Sequence, residues 1–389
     1  MTPITPLAPT APGARFGPSW RWVVFGLSIT SSWGNGHATT YRGLLRELAA
    51  RGHDVTFLEC DAPWYAAHRD VAPTGGVRTE LYVSLGDVEA RFGGLIRGAD
   101  VVIVGSYVPE GAALAEWILA NAAGVKAFYD IDTPVTLAAL ESGAGCEYLG
   151  RHQVSEFDAY FSFAGGRTLE RLAALGAKRP HPLYCSVDPL AHSPVDAEAR
   201  WDLGYLGTYS HDRQPALDQL MLSVARSQTT ARFVVAGPLY PSTIEWPANV
   251  ERFDHVAPPA HASFYARQRY TLNVTRADMR ALGHAPSVRL FEAAACGTAI
   301  ISDTWEGLGE FFTPGIDILE ASTGADVEAY LRDISDARRA EIGAGAQRRV
   351  LAAHTSAHRA AELEAQVATI VSPEASRLAA ARRTTQTTT

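Results

Sequence analysis

ALGHAPSVRLFEAAACGTAIISDTWEGLGEFFTPGIDI, from Ala281 to Ile318, is the segment from which the rest of the chain can be interpreted. It predicts a ten-residue helix from Ser287 to Cys296. Ser287 can cap the start of this helix, and Gly297 can end it in the left-handed conformation that glycine tolerates. A short apolar strand, Thr298 to Ser302, follows. We therefore expect one helix–strand unit of an α/β sheet here.

Two charged side chains lie near the start of this predicted helix. Arg289 and Glu292 are three residues apart, so they lie close together on the helix surface. Free N–H groups at a helix N-terminus bind phosphate, and a carboxylate one turn further can accept two hydrogen bonds from a ribose diol. Ser287, Val288, Arg289 and Glu292 are therefore predicted to hold a nucleoside diphosphate. The alternative is a capped, buried helix whose arginine and glutamate pair at the surface.

The composition indicates a globular protein of two domains. The chain has 389 residues, more than one hydrophobic core usually holds. Its net charge of −8 makes non-specific nucleic-acid binding unexpected, and no apolar run approaches the roughly 18 residues of a membrane span. Four scattered cysteines without a Cys-x-x-Cys pair favour free thiols in a reducing compartment. We therefore expect a cytoplasmic protein, and the alanine- and arginine-rich composition points to a bacterial source.

Strands and helices alternate along the chain in two series. The first series has short buried runs such as WVVFGLSI (Trp22 to Ile29) and DVVIVG (Asp100 to Gly105), and the second includes RFVVA (Arg232 to Ala236). A proline-rich segment, Lys178 to Pro194, separates the two series and is predicted to be the interdomain linker. The alternation predicts two α/β domains, each built on a doubly wound parallel sheet.

A glycine-rich loop, SSWGNGHATT, follows the first strand and precedes a helix. Gly34, Asn35 and Gly36 lie in this loop, and its glycines let a ligand approach the backbone closely. A dinucleotide-binding fingerprint would need a third glycine at Thr39, so the match to an NAD-dependent oxidoreductase is partial. His37 stands at the start of the helix, where the helix dipole favours a neutral imidazole that can act as a base. The alternative for His37 is a surface or capping residue.

Asp130 and Asp132 directly follow another predicted strand. Two aspartates at this spacing can hold one divalent metal ion that bridges a diphosphate. Without a metal, Asp132 at the carboxyl end of a strand can orient His37 as the carboxylate partner of a base. A third possibility is that Asp132 caps the helix that begins at Thr133.

The loop GTYSHDRQ follows the first strand of the second series. Thr208, Tyr209 and Arg213 in this loop are expected to face the same crevice as the helix at Ser287. Arg213 and Arg289 together can neutralise a diphosphate leaving group; the alternative for Arg213 is a solvated loop charge. No single predicted helix carries a His-x-x-x-His pair, and the sequence has no Gly-x-Ser-x-Gly elbow, so neither a zinc site nor a serine hydrolase is predicted.

The second half of the chain resembles the C-terminal domain of GT-B glycosyltransferases, and in particular the CgeB-like (spore maturation protein) group. The segments that carry this resemblance are SVDP (186–189), YLGTYSHDR (205–213), FVVAG (233–237), YTLNVTR (270–276), SVRLFEAAACGTAIISD (287–303) and AAHTSAHRA (352–360). They occur in the expected order. The first half is less specific: SSWGNGHATTYRGLLRELAARGHDV resembles the start of many GT-B enzymes.

The resemblance implies two facing Rossmann-like domains and a last helix that crosses back onto the first domain. The expected layout is a disordered leader (1–20), an acceptor domain (21–185), a nucleotide-sugar domain (186–355), a returning helix (356–372) and a disordered tail (373–389). By this resemblance Glu292 takes the ribose hydroxyls, and Arg213, Arg289 and the Ser287 backbone take the diphosphate. Metal is not usually required in this fold, so no metal and no cofactor are expected.

His284 departs from the pattern. Many retaining GT-B enzymes carry a glutamate eight positions before the equivalent of Glu292, and His284 stands there. We therefore expect His284 among the donor-sugar or acceptor contacts, together with the 34–36 loop. His37, with Asp132 as its partner, falls where some inverting GT-B enzymes carry their base, which favours inversion.

The leading hypothesis is a metal-independent glycosyltransferase of the hexosyltransferase type. It would move a sugar from a UDP- or dTDP-sugar to an unidentified small-molecule or glycan acceptor, with no nucleic-acid partner and no membrane span. Two alternatives remain open on the same residues. One is a nucleotide-sugar epimerase or phosphorylase on the same fold, and the other is a non-catalytic protein that binds a nucleotide sugar.

Overall fold

The computed structural model describes residues 19–70, 75–143 and 145–371, and the structural statements below concern these residues. The predicted leader, apart from its last two residues, and the predicted tail lie outside them. Trp20, at the end of the predicted leader, is buried and stacks on His53 with ring centroids 5.4 Å apart. It therefore packs as part of the first domain.

The strands are β1 (Arg21–Gly26), β2 (Asp54–Cys60), β3 (Val77–Tyr82), β4 (Val101–Gly105), β5 (Val125–Asp130), β6 (Ala159–Ser162), β7 (Pro180–Pro182), β8 (Trp201–Leu206), β9 (Phe233–Ala236), β10 (Val250–Phe253), β11 (Gln268–Asn273), β12 (Ala299–Ser302) and β13 (Leu319–Glu320). The α-helices are α1 (His37–Ala50), α2 (Pro63–Ala66), α3 (Leu85–Arg97), α4 (Gly111–Asn121), α5 (Thr133–Ser142), α6 (Arg167–Ala174), α7 (Gln214–Leu217), α8 (Ser223–Ser227), α9 (His261–Ala266), α10 (Ala277–Leu282), α11 (Val288–Ala295), α12 (Leu308–Phe311), α13 (Gly324–Asp333), α14 (Asp336–Ala353) and α15 (Ser356–Ala368). A π turn, Asp218–Leu222, joins α7 to α8, and short 3₁₀ turns lie at Arg151–Ser155 and Pro258–Ala260.

These strands form two sheets in which every neighbouring pair is parallel. The first has the order β3-β2-β1-β4-β5-β6-β7 and the second the order β10-β9-β8-β11-β12-β13. The strand order reverses between β1 and β4 in one sheet and between β8 and β11 in the other. Doubly wound sheets bind ligands at the carboxyl ends of the strands beside such a reversal. The predicted α/β fold with two doubly wound sheets is confirmed.

The central strands are apolar because helices cover both faces of each sheet. All of β4 is buried, for example, and Val102 and Ile103 belong to clusters on opposite faces of the first sheet. A strand that is buried on both sides reads as a continuous apolar run. For this reason DVVIVG was recognised as a strand although its apolar and polar residues do not alternate.

The predicted linker is partly a strand. Pro180–Pro182 forms β7, which pairs with β6 at the edge of the first sheet. Proline is tolerated at a sheet edge because a ladder hydrogen bond is not required of every residue there. The proline-rich composition therefore predicted a linker where the chain in fact adds an edge strand.

The last helix, α15, crosses back from the second domain and packs on α1. Leu363 and Val367 share an apolar cluster with Leu44 of α1, and Arg51 forms a 2.6 Å ion pair with Glu364. The expected crossing of a final helix is confirmed. No helix in the described ranges is long and apolar enough to cross a bilayer.

Candidate active site

A cavity of about 660 Å³ lies between the two domains, at the carboxyl ends of the strands. Every site residue predicted from the sequence lines it except His284. Those from the first domain are Gly34, Asn35, Gly36, His37 and Asp132. Those from the second are Thr208, Tyr209, Arg213, Ser287, Val288, Arg289 and Glu292. The fold therefore brings together residues that are more than 250 positions apart in the sequence.

His37 is the first residue of α1, and its backbone N–H donates to the Asn35 side chain at 3.1 Å. Burial of the ring in the cleft lowers the pKa of His37 below 6.5; the Asp132 carboxylate raises this pKa, and the Arg276 guanidinium lowers it. The ring Nδ1 is buried and has no hydrogen-bond partner among the described residues. His37 is therefore neutral near pH 7 and keeps a free ring nitrogen, as a general base requires.

Asp132 is held by two partners other than His37. Tyr107 donates its hydroxyl to Asp132 Oδ2 at 2.8 Å, and Arg276 Nη1 lies 3.1 Å from the same oxygen. Asp132 occupies the N-cap position of α5, yet its side chain forms no capping hydrogen bond. No hydrogen bond joins Asp132 to His37 among the described residues. In this structure the charge of Asp132 raises the pKa of His37, and its proposed role of orienting the ring stays a prediction.

Asp130 points away from the cavity into the first domain. Its carboxylate is fully buried and accepts hydrogen bonds from Tyr160 at 2.8 Å and Thr136 at 2.9 Å. Burial raises the pKa of Asp130 to about 7. Asp130 and Asp132 therefore face different surroundings, and the arrangement does not fit a metal ion shared between these two carboxylates.

Arg289, one of the predicted phosphate ligands, is largely occupied within its own domain. Its Nε donates to the Leu206 carbonyl, its Nη1 donates to Asn273 Oδ1 at 3.0 Å, and its guanidinium lies 4.6 Å from the centre of the Tyr205 ring. The side chain thus fixes the ends of β8 and β11 beside the cavity. Arg213 is more available, because only Nη2 is bonded, to the Thr208 carbonyl at 3.0 Å, and its Nε has no partner in the described chain.

Arg276 also lines the cavity. It follows β11, and its guanidinium lies between two carboxylates from different domains, Asp132 at 3.1 Å and Asp212 at 3.8 Å. The partners Arg276 and Asp132 are 144 positions apart. A spacing rule cannot find such a pair, because only the closure of the two domains brings it together.

Glu292 is surrounded by groups that fix its carboxylate. It is buried, and it accepts a hydrogen bond from Tyr265 at 3.3 Å; His192 Nε2 lies 3.7 Å from it, and His261 Nδ1 lies 3.5 Å from that same His192 nitrogen. His261 places its Nε2 3.0 Å from the Val256 carbonyl, so this nitrogen donates and Nδ1 accepts. Neither histidine is predicted from the sequence, because His192 lies in the predicted linker and His261 lies in a helix without a recognisable motif.

Two histidines and a glutamate could in principle bind zinc. Their ligand atoms lie within 4.8 Å of one another, whereas four ligands around zinc at about 2.05 Å would be roughly 3.3 Å apart. A zinc ion on His192 Nε2 would leave a proton on Nδ1, and this buried atom has no partner among the described residues. Metal-bound histidines normally donate that proton to an acceptor. The three residues therefore fit a hydrogen-bonded support for Glu292 better than a zinc site.

His284 lies outside the cavity lining. Its backbone is left-handed, with φ of 49°, and its ring Nδ1 lies 2.8 Å from Glu310. Its carbonyl accepts a hydrogen bond from Gly165 of the first domain at 2.9 Å. The left-handed backbone and these contacts hold His284 where the two domains meet, and its expected contact with the donor sugar or the acceptor stays a prediction.

This arrangement of two domains around a cavity is similar to that of known proteins. Residues 213–365 match a family model described as Glycosyl transferase-like. No significant match was found among curated proteins. Similar solved structures include sucrose-phosphate synthase from Thermosynechococcus elongatus, with 13% identity, a TM-score of 0.65, and coverage of 90% of this chain and 99% of that one. Anabaena HepE in complex with UDP and glucose has 8% identity, a TM-score of 0.66, and coverage of 90% and 100%. An alpha-glucosyltransferase in complex with UDP-glucose and DNA containing an abasic site has 14% identity, a TM-score of 0.65, and coverage of 90% and 100%.

The fold is GT-B. The predicted pair of facing Rossmann-like domains is confirmed by the two sheets and by these neighbours. The region that matches the family model contains most of the cavity residues that come from the second domain, including Arg213, Arg276 and Glu292. The predicted enzyme class, glycosyltransferase, is therefore confirmed at the level of fold and domain family.

Within this GT-B protein, the cavity divides into two chemically different parts. The second domain supplies the α11 N-terminus, the cations and Glu292. The first domain supplies His37, Asp132 and the aromatic rings of Tyr65 and Tyr107. Tyr107 is held in a left-handed conformation with φ of 62°, which is costly for a non-glycine residue and common at functional sites. The arrangement can bind an anion on one side and deprotonate a hydroxyl on the other.

Proposed function

We propose that this protein transfers a hexosyl group from a UDP-sugar to an acceptor hydroxyl group. One observation carries the proposal: a single interdomain cavity is lined by the N-terminus of α11, Arg213 and Glu292 on one side and by His37 on the other. Two of the structural neighbours, HepE and the alpha-glucosyltransferase, were solved in complex with UDP or UDP-glucose, which supports UDP ahead of dTDP as the nucleotide.

The proposed donor site uses the start of α11. Ser287 is the N-cap residue and its side chain forms no capping hydrogen bond, so hydroxyl and backbone N–H groups are both available to a diphosphate. Arg213, from the same domain, adds positive charge to this side of the cavity. Glu292, held by Tyr265 and the two histidines, takes the ribose hydroxyls. Arg289 contributes by fixing the strand ends rather than as a primary phosphate ligand.

The proposed transfer is a direct displacement with inversion. His37 takes the proton of the acceptor hydroxyl, whose oxygen attacks the anomeric carbon while the bond to the UDP oxygen breaks. The α11 N-terminus and the arginines stabilise the negative charge that develops on UDP. This positive charge comes from the protein itself, so we also propose that the reaction needs no metal ion.

We also propose that the protein is a member of the CgeB-like group and that its acceptor is a small molecule or a glycan. The six ordered segments of the second half support the grouping, and the family match covers five of them wholly or in part. Tyr65 and Tyr107 line the acceptor side and suit a sugar ring or another flat group. A net charge of −8 does not favour DNA as the acceptor of this protein, although the alpha-glucosyltransferase was solved in complex with DNA.

The test combines donor binding with product analysis. A thermal-shift screen of UDP-, dTDP- and GDP-hexoses should give the largest stabilisation with a UDP-hexose, because a ligand that binds the native state stabilises it. Incubation of that donor with candidate acceptors should then yield a glycoside of inverted anomeric configuration by NMR. Activity in excess chelator supports metal independence, and activity that is lost and restored by Mn²⁺ contradicts it.

Two outcomes would favour the alternatives. Conversion of the donor to another nucleotide sugar without any acceptor would indicate an epimerase. Donor binding with neither transfer nor hydrolysis would indicate a non-catalytic binding protein. Failure of all nucleotide sugars to bind would reject the whole assignment.

A further inference from the structure

Arg276 forms an ion pair across the cleft between the two domains. It follows β11 of the second domain, and its Nη1 lies 3.1 Å from Oδ2 of Asp132, which follows β5 of the first domain. One third of the Arg276 side chain (33%) remains exposed and lines the cavity. The ion pair therefore lies inside the proposed active site, within reach of any ligand that enters it.

Two donors already occupy the Oδ2 oxygen of Asp132. Tyr107 and Arg276 both donate to Oδ2. No hydrogen bond joins Asp132 to His37 in the described chain, and Nδ1 of His37 is unpartnered. In this state the carboxylate that could assist the base is paired with a cation instead.

A diphosphate would compete with Asp132 for Arg276. Arg276 Nε lies 3.8 Å from Asp212, which is the residue before Arg213, so the two arginines flank the same loop. Both line the cavity together with the start of α11. Phosphate oxygens form strong, charge-assisted hydrogen bonds with a guanidinium, often two at once. Arg276 is thus a cation placed between a carboxylate of the protein and the site proposed for the diphosphate.

We propose that Arg276 changes partners when the donor binds: it leaves Asp132 for the diphosphate, and Asp132 becomes available to His37. This proposal rests on the proposed function. Its consequence is an order of binding, with the donor before the acceptor, because the base and its carboxylate are assembled only once the diphosphate is in place. Arg276 is then a substrate-binding residue that also positions the base.

The charges around His37 agree with this exchange. The groups that act on its pKa are Asp132, which raises it, and Arg276, which lowers it, against the larger lowering by burial. Tyr107 lies beside the ring, with centroids 5.7 Å apart, and hydrogen-bonds to Asp132. When Arg276 turns to a diphosphate, its lowering effect is neutralised and the pKa of His37 rises, which makes His37 a stronger base.

Calorimetric titration with UDP tests the exchange. Arg276→Gln should weaken UDP binding about tenfold or more, because a charged hydrogen bond to phosphate is lost, and Arg276→Lys should recover part of it. Asp132→Asn should bind UDP about threefold tighter than wild type or better, because Arg276 no longer has to leave a carboxylate. An ion pair with only a structural role predicts unchanged or weaker binding in Asp132→Asn, and that result would overturn the proposal.

Histidine NMR provides a second measurement that does not depend on the folding of Asp132→Asn. UDP should raise the pKa of His37 in the wild type and raise it less in Arg276→Gln, where only the charge of UDP itself acts. An equal rise in both proteins would overturn the exchange. Arg200→Gln, which removes a surface ion pair with Glu251, is the matched control and should bind UDP like the wild type. If wild-type protein does not bind UDP at all, the proposed function fails before the exchange is tested.

Discussion

At the scale of single residues, His37 shows how surroundings define a chemical role. A histidine at a helix start is common, and its sequence position left a capping role open. In the structure its ring is desolvated, its Nδ1 is free, and a carboxylate and a guanidinium act on it in opposite directions. These features place the change of protonation below pH 6.5, so the neutral base is present at physiological pH.

We predict that His37→Gln lowers kcat/KM for transfer by about 10²-fold or more. In wild type, kcat/KM should be constant above neutral pH and fall as His37 is protonated, at a pH below 6.5. Asp132→Asn should move this acidic limb to lower pH, because a negative charge is removed, and Arg276→Gln should move it to higher pH. His152→Gln, a change of an exposed histidine, is the control and should leave the profile unchanged. If neither Asp132→Asn nor Arg276→Gln shifts the acidic limb of the kcat/KM profile, the role of His37 as general base is contradicted.

We predict that His192 acts through Glu292 on donor affinity. His192→Ala removes a buried neighbour of the carboxylate, so Glu292 loses a defined orientation toward the ribose. The Kd for UDP should rise about tenfold, and Glu292→Gln should have at least as large an effect. Turnover at saturating donor should change little in His192→Ala, which separates a positioning role from a catalytic one. Unchanged UDP affinity in His192→Ala, measured by calorimetry, would refute this role.

At the scale of elements, α11 illustrates what a local pattern can and cannot specify. The helix begins after Ser287 and ends before Gly297, which has φ of 75°, as predicted. However, Ser287 forms no capping hydrogen bond, and Arg289 and Glu292 do not pair with each other but turn to separate partners. Local sequence determines where the helix runs, whereas the surrounding strands and helices determine what its side chains contact.

We predict that Ser287→Ala costs less than about 0.5 kcal/mol of unfolding free energy, because no capping bond is lost. The matched control is Thr323→Ala at the start of α13, where Thr323 and Asp326 form a reciprocal capping box. That change should cost about 1 kcal/mol. Urea unfolding of both variants measures the difference. Ser287→Ala should nevertheless weaken UDP binding, and a loss of stability equal to that of Thr323→Ala would show that Ser287 does cap α11.

We predict that Gly43→Ala destabilises the packing of α1 against α15. A Cβ atom at this position would lie too close to Ser356, with 3.0 Å left even to the Ser356 Cβ, so the helices must separate. The expected loss is about 1 to 3 kcal/mol. Gly94→Ala in α3, where nothing lies within 4 Å of a new Cβ, is the control and should stabilise the protein by roughly 0.5 to 1 kcal/mol. Equal unfolding free energies in the two variants would contradict the close contact.

At the scale of the whole molecule, the sequence predicted the architecture and many of the residues that line the cavity. The alternation of apolar strands with helices predicted both sheets. Arg213, Glu292 and His37 were singled out from the sequence, and all three line one cavity. The Asp132–Arg276 pair was beyond reach, because it exists only where two separately folded sheets meet. The contacts of His284 were unpredictable for the same reason, because its partners come from the other domain and from a later helix.

We predict that buried His354 makes the protein less stable in acid. Its Nδ1 accepts a 2.7 Å hydrogen bond from Arg359, and burial lowers its pKa from 6.5 to about 3. Below pH 6.5 the unfolded chain binds a proton that the folded chain excludes, so stability falls by up to about 1.4 kcal/mol per pH unit between pH 6.5 and 3. Asp130, with its pKa raised to about 7, opposes this because it favours the folded state at low pH.

The measurement is urea unfolding of wild type and His354→Asn at pH 7, 6 and 5. Asparagine keeps an acceptor for Arg359 but does not titrate, so the loss of unfolding free energy between pH 7 and 5 should be smaller in the variant. Identical losses in the two proteins would show that other groups control the acid sensitivity.

The return of α15 to the first domain has a consequence for synthesis of the chain. The apolar cluster that contains β1, β2 and α1 also contains Ala360, Leu363 and Val367, which are translated after the whole of the second domain. Until these residues emerge, the first domain exposes part of its core, even though its whole sheet has long been translated. The second domain can complete its fold first, although it is made later. We therefore expect the nascent first domain to keep part of its apolar core uncovered until the whole second domain has been translated.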